Sequence, residues 1–192
     1  IANPLIVRPD EDSSYEIISG HRRHHAAQLA GLESIPVLIR EMDDDEAVIQ
    51  MVDSNLQREE ILPSEKAWAY KMKIEAIYRI KGRPKNVCQV GTHYLGKRTA
   101  EVVGEETGDS ARQVDRFVHL TNLIPEIMDM VDEKQISFNP AVELSYLKPD
   151  EQKQFLEAYD YAQAAPSLSQ AQRMKKLSQE GGCSLEAMCD VL

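Results

Sequence analysis

Residues 15–23 read Tyr15-Glu16-Ile17-Ile18-Ser19-Gly20-His21-Arg22-Arg23, a strand-like run that passes through a glycine into a helical pattern. Glycine at such a turn lets backbone N–H groups approach an anion closely, and a helix start favours negative charge. Arg22 and Arg23 add planar guanidinium forks suited to phosphate. A second polar cluster, Asp53-Ser54-Asn55-Leu56-Gln57-Arg58-Glu59, follows about thirty residues later. Asn55 and Glu59 offer oxygens to a hard cation such as Mg²⁺, and Arg58 can neutralise phosphate. The bland alternatives are a basic helix start and a solvated helix end. The alternation of oxygen ligands and guanidinium groups favours a nucleotide site.

Working outward, Leu5-Ile6-Val7 reads as a strand, residues 10–14 as a turn and Tyr15–Ser19 as a second strand. A helix is expected over His21–Ala30, with Ala26, Ala27, Leu29 and Ala30 as its apolar face and Gly31 ending it. Ile35–Ile39 reads as a third strand, with Pro36 at its start or on an edge. Ala47, Val48, Met51 and Val52 recur at helical spacing from Asp44 onward. Ser64 is a natural N-cap for the next helix, whose apolar positions are Ala67, Tyr70, Met72, Ile74 and Ile77. Gly82 and Pro84 break the chain. From Thr99 the pattern is helical, with Pro125, Pro140 and Pro149 suited to first turns and Gly181-Gly182 setting off a last short helix. The expected class is α+β. A small mixed α/β domain over residues 1–80 precedes an all-helical domain over 81–165 and a helical segment over 166–192.

Residues 100–119 fit a helix-turn-helix. Gly104 stands where the first helix must admit the second, Gly108 marks the turn, and Val114, Phe117 and Val118 supply the apolar side. Asp109 or Ser110 can cap the second helix. Its exposed side would present Ser110, Arg112, Gln113 and Arg116, and Arg and Gln suit bidentate contacts to guanine and adenine edges. An ordinary helical hairpin shares this spacing. The basic run from Arg79 to Arg98 supports the DNA reading: it contains six Lys or Arg, among them Lys97 and Arg98, and no acid. Residues 41–46 carry −5, so charge is segregated within a chain of net charge −10.

Other classes are bounded by composition. The chain has 192 residues and an ordinary 42% hydrophobic content. It has no apolar run near the roughly 20 residues that span a bilayer. Ile1-Ala2-Asn3-Pro4 has no signal-peptide pattern and no Met, which suggests a piece of a longer protein in a cytoplasmic setting. Cys88, Cys183 and Cys189 lack metal-ligand spacing and read as reduced thiols. His24 and His25 read as surface residues.

Ile17-Ile18-Ser19-Gly20-His21-Arg22-Arg23, followed by Ala26, Gly31 and Ile35-Pro36-Val37, resembles the nucleotide-binding motif of the ParB family of partition proteins. Asn55-Leu56-Gln57-Arg58-Glu59 and Leu62-Pro63-Ser64-Glu65-Lys66-Ala67 resemble that family's second motif, and the helix-turn-helix follows in the family's order. The resemblance runs from about residue 3 to residue 160. It implies a ParB/sulfiredoxin-like first domain and a homodimeric DNA clamp. Such a clamp loads at a centromere-like site, binds CTP with Mg²⁺, closes, slides, and works with a ParA-like Walker ATPase. Carried over residue by residue, Gly20, His21, Arg22 and Arg23 would line the triphosphate. Asn55 would stand at the Mg²⁺, and Arg58 and Glu59 would share the pocket. The chain departs from the family at Ser54, where an acid is usual, at His21, where Glu is usual, and at His25, where Arg is usual. These departures bear on CTP hydrolysis more than on CTP binding. The family's leading strand and its C-terminal dimerisation domain are not evident. Rival readings are a ParB-related transcription regulator or nucleoid-occlusion factor, and a phosphotransferase on the same first domain. A sulfiredoxin-like reductase would need a Cys at the Gly20 turn, where there is none.

Overall fold

The computed structural model describes residues 3–10, 12, 14–58, 60–82 and 98–192. The chain divides into two compact units, one of Ile1–Glu59 with Met72–Thr99, the other of Glu60–Lys71 with Ala100–Leu192. Among the described residues there are three strands and ten helices, an α+β composition.

In the first unit, β1 (Leu5–Pro9) lies between β2 (Tyr15–Ser19) and β3 (Val37–Ile39). β1 pairs antiparallel with β2, Val7 opposite Ile17, and parallel with β3, Leu5 opposite Val37. Pro36 precedes β3, where its missing N–H costs the ladder nothing, and its carbonyl accepts from the Leu5 N–H at 3.1 Å. α1 (His21–Leu29) ends as the sequence suggests: Gly31 takes φ +67 and the Leu32 N–H bonds back to the Ala27 carbonyl. Its apolar face is smaller than expected. Only Ala27 is buried, while Ala26, Leu29 and Ala30 are exposed, because a three-stranded sheet offers this helix support at a single turn.

α2 (Asp44–Leu56) starts with a capping box in which Asp43 accepts from the Glu46 N–H and Glu46 accepts from the Asp43 N–H. α3 (Pro63–Lys81) corrects a capping expectation. Pro63 is already the first helical residue, a position its fixed φ suits, so Ser64 falls inside the first turn. There the Ser64 N–H and hydroxyl both donate to the Asp132 carboxylate. The buried stripe of α3 is Ala67, Tyr70, Lys73, Ala76, Ile77 and Ile80, so a lysine occupies a core position and Met72 is exposed instead.

The second unit is helical: α4 (Thr99–Thr107, Thr99 apart), α5 (Ala111–Leu120), α6 (Pro125–Asp132), α7 (Phe138–Leu144), α8 (Pro149–Ala162), α9 (Leu168–Glu180) and α10 (Leu185–Val191). One core joins α5 to α10 with Ala67 of α3. Leu120, Ile127, Leu144, Phe155, Met174 and Met188 are all fully buried in it. α9 and α10 thus pack into the same core as α6–α8, whereas the sequence suggested a separate segment over 166–192. The first turns of α3 also belong to this unit, through Ala67, so its edge differs from the expected one at residue 80.

The turn between α4 and α5 is tight. Gly108 has φ +79, and a methyl on Gly104 would overlap the Asp109 carbonyl oxygen and come within 3.3 Å of the Ala111 nitrogen. Gly104→Ala is therefore expected to destabilise the second unit by about 1–3 kcal/mol, the usual range for overpacking against backbone. Urea unfolding would measure it; an unchanged midpoint would show that α4 and α5 can separate freely.

Candidate functional site

β2 ends at Ser19 and Gly20 turns the chain at φ 107, ψ 19, a left-handed conformation that disfavours any side chain. A methyl there would lie 2.5 Å from Leu5 Cδ2 and 3.2 Å from Arg23 Nη2. α1 starts with no side-chain cap, so its first N–H groups have no side-chain acceptor at the cap position. Beside this start lies a cavity of about 340 Å³, lined by Ile18, Ser19, Gly20, His21, Arg22, Arg23, Met51, Ser54, Asn55 and Arg58. Residues 51, 54, 55 and 58 share one face of α2 and its C-terminal turn, by helical spacing. Two motifs far apart in sequence thus meet in one cavity, of the size small ligands occupy. Glu59 lies outside the described residues.

The cavity residues differ in freedom. Arg23 Nη1 donates to the carbonyls of Asn3 and Pro4 at 2.7 and 2.8 Å, tying the start of β1 to α1. Ser54 Oγ donates back to the Met51 carbonyl at 2.8 Å. Among the described residues, the side chains of Arg22, Asn55 and Arg58 meet no hydrogen-bond partner, which leaves their polar groups to the cavity. Asp53, the acid nearest Ser54, does not line the cavity. It pairs with the fully buried ammonium of Lys73. No group of three or more His, Cys, Asp or Glu among the described residues is placed to hold a metal, so a cation here would need oxygens such as that of Asn55 together with those of its ligand.

The second candidate site is the face of α5. Ser110 is the N-cap, its hydroxyl accepting from the Gln113 N–H at 3.2 Å. Asp109 does not cap; it accepts from the Tyr70 hydroxyl at 2.5 Å and pairs with Lys66 at 2.7 Å. Arg112 is exposed and Gln113 and Arg116 half-buried. Arg116 donates to Asn139 and lies over the Phe138 ring, 5.0 Å from its centroid, so one of the expected base-reading side chains is held by α7. Arg112 and Arg116 line a groove of about 490 Å³ with His119, Glu143, Tyr146 and Lys175. Sequence reading missed Asn139, Tyr146 and Lys175, which come from α7, the turn after it and α9 and carry no local signal.

The basic run is used differently from expectation. Arg79 Nε contacts Asp45 at 2.6 Å, and Lys81 Nζ donates to Thr99 at 3.1 Å, so both are engaged within the first unit. Arg98 is exposed just before α4 and belongs to that unit as well. Lys97, like residues 83–96, lies outside the described residues. No helix among the described residues is long and apolar enough to cross a membrane.

Burial pushes the Asp109 carboxyl up, but hydrogen bonds from Lys66 and Tyr70 outweigh it and hold the group below its ordinary value. Such a carboxylate stabilises the fold above its unfolded pKa, about 4, and the contribution fades as pH falls through the lower folded value. Tyr70→Phe is therefore expected to cost about 1.5–3 kcal/mol at pH 7, the range for a hydrogen bond to a charged group. The deficit should shrink as pH falls below the ordinary carboxylate range and Asp109 takes up its proton. Urea midpoints across that range test this, and a pH-independent deficit would place the loss in ring packing.

Residues 1–56 match the ParB N-terminal domain family. Over 151 residues the chain is 30% identical to the chromosome-partitioning protein Spo0J of Thermus thermophilus, covering 79% of this chain and 48% of that protein. It is 31% identical over 153 residues to the nucleoid occlusion protein of Listeria innocua, covering 80% and 47%. The chain thus spans about half the length of these curated relatives. Its fold is similar, at a TM-score of 0.55 and 23% identity, to the C-terminally truncated chromosome-partitioning protein ParB from Caulobacter crescentus complexed to the centromeric parS site. That alignment covers 98% of this chain and 81% of the other. By the match of residues 1–56 to the family's N-terminal domain and by these relatives, the chain belongs to the ParB family.

Proposed function

We propose that this chain is a DNA-binding partition protein that reads a centromere-like site through α5. CTP with Mg²⁺, bound in the cavity beside Gly20, would switch it into a DNA clamp. The observation that carries this reading is the meeting of Arg22, Asn55 and Arg58 at an uncapped helix start. Guanidinium forks and backbone N–H groups serve the triphosphate, and Mg²⁺ bound to that triphosphate supplies charge neutralisation. Asn55 is the residue that would take part at the metal. The same chain carries an exposed Arg112 on a capped recognition helix. In the solved relative the partner is a centromeric DNA site, which is the class of site proposed here. A homodimer and a ParA-like Walker ATPase complete the proposal. The proposal is for CTP binding more than for efficient hydrolysis, because Ser54 brings no carboxylate to the cavity. A nucleoid-occlusion role is the second reading, favoured by the Listeria relative; the DNA sequence that α5 selects distinguishes the two.

Calorimetry with the four ribonucleoside triphosphates and Mg²⁺ tests the cavity. CTP is expected to bind preferentially. Arg22→Ala should weaken it by about 1.5–3 kcal/mol, as loss of a charge-assisted contact does. Arg23→Ala should abolish binding, since it removes a cavity cation and also releases the Asn3 and Pro4 carbonyls. Equal, weak binding of all four nucleotides would refute CTP specificity.

The DNA reading has its own test. Arg112→Ala is expected to cost about 1–3 kcal/mol at the specific site and to relax sequence preference there. Titrations on specific and scrambled duplexes at fixed salt measure both. An equal loss on every sequence would show that Arg112 meets phosphate alone.

A further inference from the structure

Lys73 is 0% exposed, in the middle of α3, and its ammonium contacts Asp53 of α2. A buried ammonium is costly, and a buried ion pair commonly adds less stability than well-packed apolar side chains would. What the pair supplies is direction. Apolar contacts between helices are non-directional, whereas a charged hydrogen bond fixes where two particular atoms meet. Asp53 adjoins Ser54 and Asn55, which line the cavity, and it turns away from that cavity toward α3. A roll of α2 by about 20° would move atoms about 5 Å from its axis by about 1.7 Å, by the geometry of a helix. Binding constellations tolerate only about 0.5 Å. The apolar residues that α2 buries, Ala47, Ile49 and Val52, are small or aliphatic and resist such a roll weakly. At the other end of α2, Asp45 contacts Arg79 of α3 at 2.6 Å, so the helix is held by ion pairs near both ends.

We propose that the Lys73–Asp53 pair is the positioning device of the cavity: it fixes the roll of α2 so that Asn55 and Arg58 face the phosphates of a nucleoside triphosphate. Lys73 touches no ligand and acts through Asp53. The inference rests on the nucleotide reading of the cavity and deepens it.

Two measurements on the full chain decide it. The double variant Asp53→Leu/Lys73→Leu replaces the pair by apolar contact, a change that often keeps or raises stability. It is expected to keep its thermal midpoint and to bind CTP with Mg²⁺ about tenfold more weakly, equivalent to about 1.4 kcal/mol. A folded double variant with wild-type affinity overturns the proposal. In the unmodified chain, the ¹⁵N signal of the Lys73 ammonium, assigned with Lys73→Met, should shift and its hydrogen exchange should slow when CTP and Mg²⁺ are added. An unresponsive Lys73 signal under saturating nucleotide overturns the proposal even if both variants fail to fold. An unmodified chain that binds none of the four nucleotides overturns the cavity reading itself, and the inference falls with it.

Discussion

Backbone N–H groups at helix starts must find acceptors, and much of the local chemistry of this chain answers that requirement. Asp43 and Glu46 close the start of α2, Ser110 that of α5, Ser167 with Gln170 that of α9, and Ser184 that of α10. At α3 the Leu62 N–H goes to Glu65 and the Ser64 N–H to Asp132. α1, like α6 and α7, has no side-chain cap bond. Its cap is a glycine, which offers no acceptor, and the backbone there is held at φ 107 against Leu5 and Arg23. A residue that could cap would also fail to fit. The donors of α1 are therefore left beside a cavity bordered by guanidinium groups, and on the proposed reading an anion answers them.

The same bookkeeping reinterprets the charge of the chain. A net charge of −10 argues against a nucleic-acid partner only if the acids are free. The run from Glu41 to Glu46 reads as an acidic surface in sequence, yet within it Asp43 and Glu46 cap α2, Asp44 meets Arg8 at 2.8 Å, and Asp45 meets Arg79. Asp53, Asp109 and Glu143 are likewise engaged by Lys73, Lys66 and Lys175. These acids are engaged within the chain, so the sum over the sequence says less about the face of α5 than the groups on that face do.

The elements were legible because glycine, proline and capping residues punctuate them. Gly20, Gly31, Gly108 and Gly181 all take positive φ, and the starts at Pro125 and Pro149 fall where the prolines stand. The two halves of the cavity were legible as motifs, although only folding brings residues 20–23 against residues 51–58. What sequence concealed was the use of side chains across elements. Lysine is ordinarily solvated, so Lys73 gives no core signal by type, yet its spacing from Tyr70, Ile77 and Ile80 continues the buried stripe of α3. Helical spacing puts Arg116 on the outer side of α5, but Asn139 and Phe138, more than twenty positions away, hold it. The apolar face assigned to α1 failed for the opposite reason: periodicity shows which side is apolar, not whether a sheet is wide enough to cover it.

Asp53 also bears on the metal. Ser54 brings no carboxylate to the cavity, and Asp53, the acid beside it in sequence, is committed to a buried lysine and stands outside the cavity lining. Releasing it would break the ion pair with a fully buried ammonium. The oxygens that α2 itself offers the cavity, from Ser54 and Asn55, are neutral. Mg²⁺ is ordinarily held by one or two carboxylates together with substrate phosphates. On the proposed reading, a neutral set on α2 shifts the balance toward the phosphates, so the cation arrives with the triphosphate rather than ahead of it. Affinity for the pair then depends on Arg22 and Arg58 neutralising charge that the metal leaves over. Binding can survive such a shift more readily than hydrolysis, which asks the site to hold the metal as charge moves along the phosphate chain.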